Sequence, residues 1–157
     1  MFRTMRRFRQ QIAAEECEII LREEPRGVLS MYGEDGYPYG IPLNFIYDGG
    51  KIYFHCAKEG HKIDALKKDS RVSFCVYDKG YLKEGKVGLN INSVVIFGHV
   101  RFIEDRETVI RVTRALGMKY LPEDLVEKDV KKYAETGRLQ ILELTIDHMT
   151  GKLVNES

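Results

Sequence analysis

The residues best suited to chemistry lie in one segment, KIYFHCAKEGHKIDAL, which runs from Lys51 to Leu66. Residues 52–54 are apolar and predict a strand, and a short helix is predicted at His61–Lys68. The start of a helix has unpaired backbone N–H groups and the positive end of the helix dipole, so it attracts anions. Basic residues crowd this start and small residues leave its backbone accessible: the basic ones are His55, Lys58, His61 and Lys62, and the small ones are Cys56, Ala57 and Gly60. The segment is therefore predicted to hold the phosphate of a phosphorylated planar cofactor beside an aromatic wall.

Lys62 and the two histidines have more specific predicted roles. A cation in the first turn of a helix opposes the helix dipole unless an anion is bound there, so Lys62 is expected to contact the phosphate. His55 and His61 are six residues apart across the turn and are expected to face one cleft. A histidine in such a cleft can neutralise a phosphate, donate a hydrogen bond to a ring carbonyl or transfer a proton near neutral pH.

Polar residues inside apolar strands are further candidates. Asn44 interrupts the apolar strand IPLNFIY. Its amide, together with the backbone of residues 42–45, is expected to meet the polar edge of a flat ring, because ring-binding clefts use a few placed donors within an apolar lining. The alternative is that the Asn44 side chain simply points to solvent. Asn92 and Ser93, at the head of a later strand, could supply an amide and a hydroxyl in the same way.

The elements that must position these residues predict a mainly antiparallel sheet. Asp48-Gly49-Gly50 is a strong hairpin signal, and Gly98 inside a long apolar strand predicts a bulge or bend. The predicted order is a helix, three strands, a short helix, two strands, two helices and a final strand. The three longer helices are predicted at Ala13–Glu24, Arg106–Tyr120 and Glu123–Thr136. We expect a mainly β fold with flanking helices (α+β), in which six antiparallel strands form a small barrel as one domain over residues 1–157.

Composition and the motifs that are missing narrow the function classes. The 157 residues are 43% hydrophobic and 31% charged with a formal net charge of +1, so nothing favours nucleic acid or an anionic membrane as partner. Neither a Gly-x-Gly-x-x-Gly motif after a strand nor a P-loop occurs, which disfavours Rossmann-type dinucleotide binding and P-loop hydrolysis. Three cysteines without a close pair argue against disulfides and against a zinc site, and we expect no metal. The opening MFRTMRRFRQ lacks the apolar core of a secretory signal and no run spans a bilayer, so a cytoplasmic protein is expected.

The chain resembles the pyridoxamine-5′-phosphate-oxidase-like flavin-binding split barrels, and within them the 5-nitroimidazole-resistance (Nim-type) reductases. Four segments carry the resemblance and cover nearly the whole chain: MRRFRQ, GEDGYPYGIPLNFIYDGGKIYFHCAKEGHKIDAL, VSFCV and SVVIFGHVRFIED. The part most specific to this group is YFHCAKEGHK. The pyridoxamine phosphate oxidases proper hold the phosphate with an Arg-Lys pair where this chain has His61-Lys62, which speaks against a pyridoxine substrate.

This resemblance implies a homodimer with two FMN molecules at the subunit interface. The flavin ring would lie along Ile41–Phe45 and Phe54–Ala57, the turn Lys58–Lys62 would hold the phosphate, and the partner subunit would add residues around Asn92–Ser93. His55 would lie near the flavin as the catalytic residue. The cofactor-binding residues implied in this way are Pro42, Leu43, Asn44, Phe45, Phe54, His55, Cys56, Ala57, Lys58, His61, Lys62, Asn92 and Ser93.

The leading hypothesis is therefore an FMN-dependent oxidoreductase that takes electrons from NAD(P)H or another reductant and reduces a small acceptor such as a nitro group, with His55 as a proton donor. Three alternatives stay open at this point. One is a flavin-binding or flavin-sensing module without fast turnover. The others are a pyridoxamine-phosphate-oxidase-like enzyme and a small barrel that holds haem through a histidine. Because a fold hosts many reactions, the resemblance alone does not name the substrate.

Overall fold

The structure is a computed structural model that describes residues 1–155. Within them, eight strands and four α-helices follow one another along the chain: β1 (Gln11–Ile12), α1 (Ala14–Glu23), β2 (Arg26–Tyr32), β3 (Pro38–Asn44), β4 (Ile46–Asp48), β5 (Lys51–Ala57), α2 (His61–Lys68), β6 (Arg71–Tyr77), β7 (Ile91–Ile103), α3 (Arg106–Tyr120), α4 (Glu123–Thr136) and β8 (Leu139–Val154). Two short 3-10 helices lie at Phe8–Gln10 and Glu34–Gly36. None of these helices is long and apolar enough to cross a membrane.

All strands join one antiparallel sheet in the order β3-β2-β6-β7-β8-β5-β4, and β1 pairs with β8 off this path. The two end strands, β3 and β4, are separated in the chain only by Phe45. Since one residue spans less than 4 Å, the two ends of the sheet must meet at Phe45. The sheet therefore curls into a half-barrel that the chain itself closes at one corner.

The predicted fold class is confirmed, because the structure is a mainly β, antiparallel half-barrel with flanking helices. The predicted number of six strands is wrong. The segment IPLNFIYD was expected to form one strand, but its first half pairs with β2 and its second half pairs with β5, so it becomes β3 and β4. The remaining additional strand is the short β1. The predicted bounds of α2, α3 and α4 are confirmed, and α1 is one residue shorter at each end than predicted.

Aromatic rings fill the inside of the curl. The rings of Phe45 and Phe54 each meet the ring of Phe74 edge to face, with 5.0 Å between centroids, and all three side chains are fully buried. The predicted bulge at Gly98 is confirmed by a register shift between Phe97 and Gly98. A Cβ at Gly98 would lie 2.1 Å from the carbonyl oxygen of Thr145, so no larger residue fits where β7 bends over β8.

A second apolar cluster lies between the outer face of the sheet and the helices α3 and α4. Val112 and Leu116 of α3 are buried there against Tyr53 and Ile141 of the sheet. Asp105 caps α3, since its carboxylate accepts a hydrogen bond from the Thr108 N–H at 2.9 Å. The helix pair therefore covers β5 and β8 next to the corner at Phe45.

Candidate functional site

Two strand edges without ladder partners diverge from the corner at Phe45. β3 pairs with β2 on one side only and stands at the end of the sheet. In β5, residues 51–53 pair with both β4 and β8, but residues 54–57 pair with β8 alone. We call the gap between the free edges of residues 41–44 and 54–57 the slot. Free strand edges present backbone N–H and C=O groups, which can bond the polar rim of a flat ring.

The turn between β5 and α2 lies at the end of the slot that is farthest from Phe45. Gly60 has φ 125° and ψ 175°, and α2 begins with the next residue, His61. A Cβ at Gly60 would meet no atom within 4 Å, so glycine is needed here for its backbone conformation rather than for space. Gly60 has no side chain to bond the N–H groups of the first helical turn, and these remain available to an anion.

Contacts at both ends of α2 hold it against the β2–β3 hairpin. The His61 ring stacks on the Tyr39 ring of β3, with 4.2 Å between centroids and 21° between the planes. At the other end of α2, Lys68 forms an ion pair with Glu34 at 2.9 Å. Because β3 and α2 lie on opposite sides of the slot, these contacts set how far it opens.

Lys62 places a positive charge beside the end of β5. Its charge acts on both His55 and Cys56. Burial raises the pKa of the Cys56 thiol, and Lys62 offsets this only in part. Cys56 packs against the barrel core and is a protonated thiol at neutral pH, which makes it a poor nucleophile.

His55 points away from the barrel core, toward α3 and α4. It lines a cleft of about 190 Å³ between the sheet and these helices, which we call the His55 cleft. The residues that line this cleft are Asn44, His55, Thr113, Leu116, Gly117, Tyr120, Leu121, Asp129, Tyr133 and Leu139. Although part of the His55 ring reaches solvent, burial lowers its pKa, the Asp129 carboxylate opposes this shift and Lys62 reinforces it. The imidazole is therefore neutral at pH 7.

The structure brings Asn44 and His55 together but separates the two histidines. Asn44 and His55 line the same cleft, and the Asn44 amide forms no side-chain hydrogen bond within residues 1–155. His61, which was expected to face the same cleft as His55, instead stacks on Tyr39 and is not part of the cleft lining. The two histidines therefore lie in two neighbouring places, the turn at the start of α2 and the His55 cleft.

The other predicted cofactor-binding residues differ in what they present. Phe45 and Phe54 are fully buried, and Leu43 packs against the same core. Only backbone groups of Leu43 and Phe54 can face the slot, because those of Phe45 bond to side chains of α3. The side chains of these three residues shape the slot from inside. The remaining ones in this part of the chain are solvent-exposed: Pro42, Ala57 and Lys58.

Asn92 and Ser93 do not reach the slot within one chain. Asn92 pairs with Leu153 of β8, whereas Ala57 pairs with Leu139, fourteen residues earlier on the same strand. The Asn92 side chain is engaged locally, since its Nδ2 donates to the Asp78 carboxylate at 2.9 Å. Only a second copy of the chain could bring these residues to the slot.

Sequence reasoning missed two residues that hold the corner. The Tyr120 hydroxyl accepts a hydrogen bond from the Phe45 N–H at 2.9 Å and lies 2.6 Å from the carbonyl oxygen of Pro25, to which it can donate. Lys119 donates to the Phe45 carbonyl at 3.0 Å, and burial lowers its pKa to about 8. Tyr120 belongs to the apolar face of α3, so periodicity alone predicts a core residue and gives no sign of its polar contacts.

Comparison with known proteins agrees with this architecture. Residues 13–153 match the profile of the family described as pyridoxamine 5′-phosphate oxidase. Among solved structures, a Bacteroides thetaiotaomicron protein provisionally assigned to 5-nitroimidazole antibiotic resistance is 23% identical with a TM-score of 0.76, over 91% of this chain and 86% of that one. An FAD-binding protein of Mesorhizobium loti is 22% identical with a TM-score of 0.66, over 92% and 97% of the two chains.

A third similar structure is that of a protein described as binding haem as well as FAD. The FAD and haem binding protein of Mycobacterium smegmatis is 19% identical with a TM-score of 0.74, over 94% of this chain and 74% of that one. No curated protein matches the sequence. At these identities the structural matches establish the fold that the chain shares with these proteins.

Proposed function

We propose that this chain, which belongs to the pyridoxamine 5′-phosphate oxidase family, is an FMN-dependent oxidoreductase that reduces a small acceptor. The observation that carries the proposal is the position of the α2 start. A helix N-terminus with Lys62 and His61 stands at the open end of a slot whose two walls are free strand edges. Such a place suits a ligand with a phosphate at one end and a flat polar ring at the other.

The residues of the slot fit a flavin mononucleotide in chemistry. The free edges of residues 41–44 and 54–57 offer backbone donors and acceptors to the ring rim. The first-turn N–H groups of α2, with Lys62 and His61, would hold the phosphate. The exposed turn at Gly60 leaves open space where a larger residue would place a side chain.

Flavin binding by fold neighbours supports the same cofactor class. The Mesorhizobium loti and Mycobacterium smegmatis proteins are described as FAD-binding, and another neighbour as an F420 reductase. We propose FMN rather than FAD for this chain because the start of α2 can bind one phosphate group, and FMN has one phosphate. When bound, FMN would supply reversible two-electron redox chemistry at its ring.

The chain's own residues would bind and orient the acceptor beside the ring. His55, neutral at pH 7, would donate a hydrogen bond to a developing negative charge on the acceptor, and in acid it could deliver a proton. Asn44 would add an amide donor in the same cleft. A nitro compound is the proposed acceptor class, in line with the resemblance to nitroimidazole-resistance proteins, and NAD(P)H or another reductant would supply the electrons.

We further propose that the protein works as a homodimer. Asn92 and Ser93 lie too far from the slot of their own chain, so only the partner's copies could contribute to it. Two aromatic residues are exposed near each other on the outer face of the sheet: Tyr32 is 60% exposed and Phe97 is 41% exposed. A groove of about 620 Å³ runs beside Tyr32 and Phe97 on this face. A second copy seated there would cover these rings.

Anaerobic kinetics test the proposed activity. The flavin-loaded protein is reduced with NADH or NADPH and then mixed with a nitro compound, while the flavin absorbance near 450 nm is followed. The proposal predicts that the bound flavin is reoxidised by the acceptor at least about tenfold faster than the same concentration of free FMN. If flavin binds but both half-reactions run no faster than with free FMN, the protein is a flavin-binding or sensing module instead.

A further inference from the structure

The His55 cleft is a separate compartment next to the slot, and its size limits what can occupy it. Its volume of about 190 Å³ lies below the roughly 300 Å³ at which pockets begin to take drug-sized ligands. A ligand with one small ring is of a size that suits this cleft.

The cleft has an apolar side and a polar side. Leu116, Leu121 and Leu139 form the apolar side. On the polar side, the side chains of Asn44 and Tyr133 face the cleft, and neither forms a side-chain hydrogen bond within residues 1–155. A flat ring with polar substituents at one end would pack against the leucines and satisfy these groups.

The charge of the lining is negative. Asp129 is the acidic residue among the ten that line the cleft, and the lining contains no lysine or arginine. Within residues 1–155, Asp129 forms no ion pair. Lys62 does not line the cleft but also acts on His55, less strongly than Asp129 does. His55 is neutral at pH 7, because burial lowers its pKa. A carboxylate on the ligand would therefore meet a like charge that Lys62 compensates only in part.

We propose that the His55 cleft is the acceptor-binding site and that Asp129 makes it selective for single-ring polar ligands that are uncharged or cationic, against ligands that carry a carboxylate. The word acceptor in this inference rests on the proposed oxidoreductase function, but the binding site and its charge selectivity do not. Asp129 acts as a specificity residue on α4, and Asn44, His55 and Tyr133 supply the polar contacts.

Binding of two isosteric probes tests the proposal. Nicotinamide and nicotinate each have one pyridine ring and differ mainly in the negative charge of the carboxylate. Their dissociation constants are measured by calorimetry on the protein as purified, whose flavin content is recorded from its absorption spectrum. We expect nicotinate to bind at least about tenfold more weakly than nicotinamide at pH 7. Nicotinamide should also shift the imidazole NMR signals of His55, which locates the bound ring.

Removal of the Asp129 charge should abolish this preference. In Asp129→Asn, nicotinate should gain about tenfold in affinity while nicotinamide changes less than about twofold. Asp124→Asn is the matched control, because Asp124 is exposed in the first turn of the same helix and does not line the cleft. It should leave both affinities unchanged. Thermal melts of the two variants show whether each is folded.

Several results would overturn the proposal: no binding of nicotinamide, equal binding of the two probes to the wild type, an unchanged preference in folded Asp129→Asn, or binding that leaves the His55 signals unmoved. Failure of the proposed function gives a different pattern. If the protein holds no flavin and reduces no acceptor, but the probes bind with the expected charge preference, the cleft assignment stands and the oxidoreductase assignment falls.

Discussion

The His61 ring stacks on the Tyr39 ring, with 4.2 Å between the ring centroids and 21° between the planes. One ring comes from the start of α2 and the other from β3, so the pair connects the two sides of the slot at its open end. Phe45 closes the opposite end. The width of the slot is therefore set by the chain connection at Phe45 and by the contact between the Tyr39 and His61 rings.

Loss of the Tyr39 ring should weaken FMN binding. An aromatic pair contributes about 0.5–1.5 kcal/mol beyond the area it buries, which corresponds to roughly 2- to 12-fold in affinity. We expect Tyr39→Leu to raise the dissociation constant for FMN by about that factor and Tyr39→Phe to leave it nearly unchanged, since phenylalanine keeps the ring. Quenching of FMN fluorescence measures both. Equal effects of the two substitutions would show that the stack does not control the slot.

Substitution of Gly60 should impair the phosphate turn through its backbone alone. Gly60 has φ 125°, a conformation that costs residues with a Cβ about 1–3 kcal/mol, and a Cβ there would touch no other atom. We expect Gly60→Ala to weaken FMN binding about tenfold or more. Gly49→Ala is the control, since Gly49 has φ 57° in the β4–β5 hairpin and also has open space around it. FMN binding that survives Gly60→Ala would place the phosphate elsewhere.

His55→Ala should reduce acceptor turnover more than FMN binding. The reason is that His55 lines the cleft beside the slot rather than the phosphate turn. If His55 delivers a proton, turnover in the wild type should fall as the pH rises through a pKa below the usual histidine value, because burial lowers the pKa of this ring. The rate of flavin reoxidation by a nitro compound is measured from pH 4.5 to 8. An equal loss of binding and turnover in His55→Ala would make His55 a binding residue only.

Glu143 should stabilise the fold in a pH-dependent way. Burial by itself would raise its pKa, but hydrogen bonds from Arg101 at 2.7 Å, from Lys51 at 2.8 Å and from the Tyr53 hydroxyl at 3.0 Å outweigh this and lower the pKa to about 2. The folded state therefore holds the carboxylate ionised well below the pH at which the unfolded chain takes up the proton. The resulting stability is present above about pH 4.5 and is lost as the pH falls toward 2.

Glu143→Gln measures this contribution. The glutamine keeps the shape but removes the charge from hydrogen bonds that are worth about 1–3 kcal/mol in total when one partner is lost. We expect urea unfolding at pH 7 to show that deficit and the deficit to shrink at pH 3. Glu127→Gln is the control, since Glu127 pairs with Arg114 on an exposed surface and its loss should change the unfolding free energy little at either pH. A deficit for Glu143→Gln that is the same at both pH values would contradict the assignment.

Local signals in the sequence account for most of the fold and for the turn before α2. The hairpin at residues 48–50, the bulge at Gly98 and the bounds of α2, α3 and α4 all depend on turn residues or periodicity within a few positions, and each is found where it was expected. The division of one apolar segment at Phe45 was not foreseeable in this way. It depends on closure of the whole sheet and on Tyr120, which is 75 residues away along the chain.

The His55 cleft was also predictable only in part, because it too depends on contacts between residues far apart in the chain. Its sheet side was identified, since Asn44 and His55 were both candidates from their types and positions. Its helix side was not, because Asp129 and Tyr133 lie on α4, and a helical periodicity does not say which sheet residue the helix will meet. The two histidines were expected together because they are close in sequence. The strand and the helix that carry them point them in different directions.

If the turn before α2 holds the phosphate of FMN, the protein should bind FMN more tightly than riboflavin, because riboflavin lacks only the phosphate. Both dissociation constants are measured for the wild type, for Lys62→Gln and for Lys67→Gln, an exposed lysine in the last turn of the same helix. We predict that the wild type prefers FMN by at least about tenfold, that Lys62→Gln reduces this preference about tenfold without changing riboflavin binding, and that Lys67→Gln changes neither. Equal binding of the two flavins to the wild type, or an equal loss of both in Lys62→Gln, would show that this turn does not bind the phosphate.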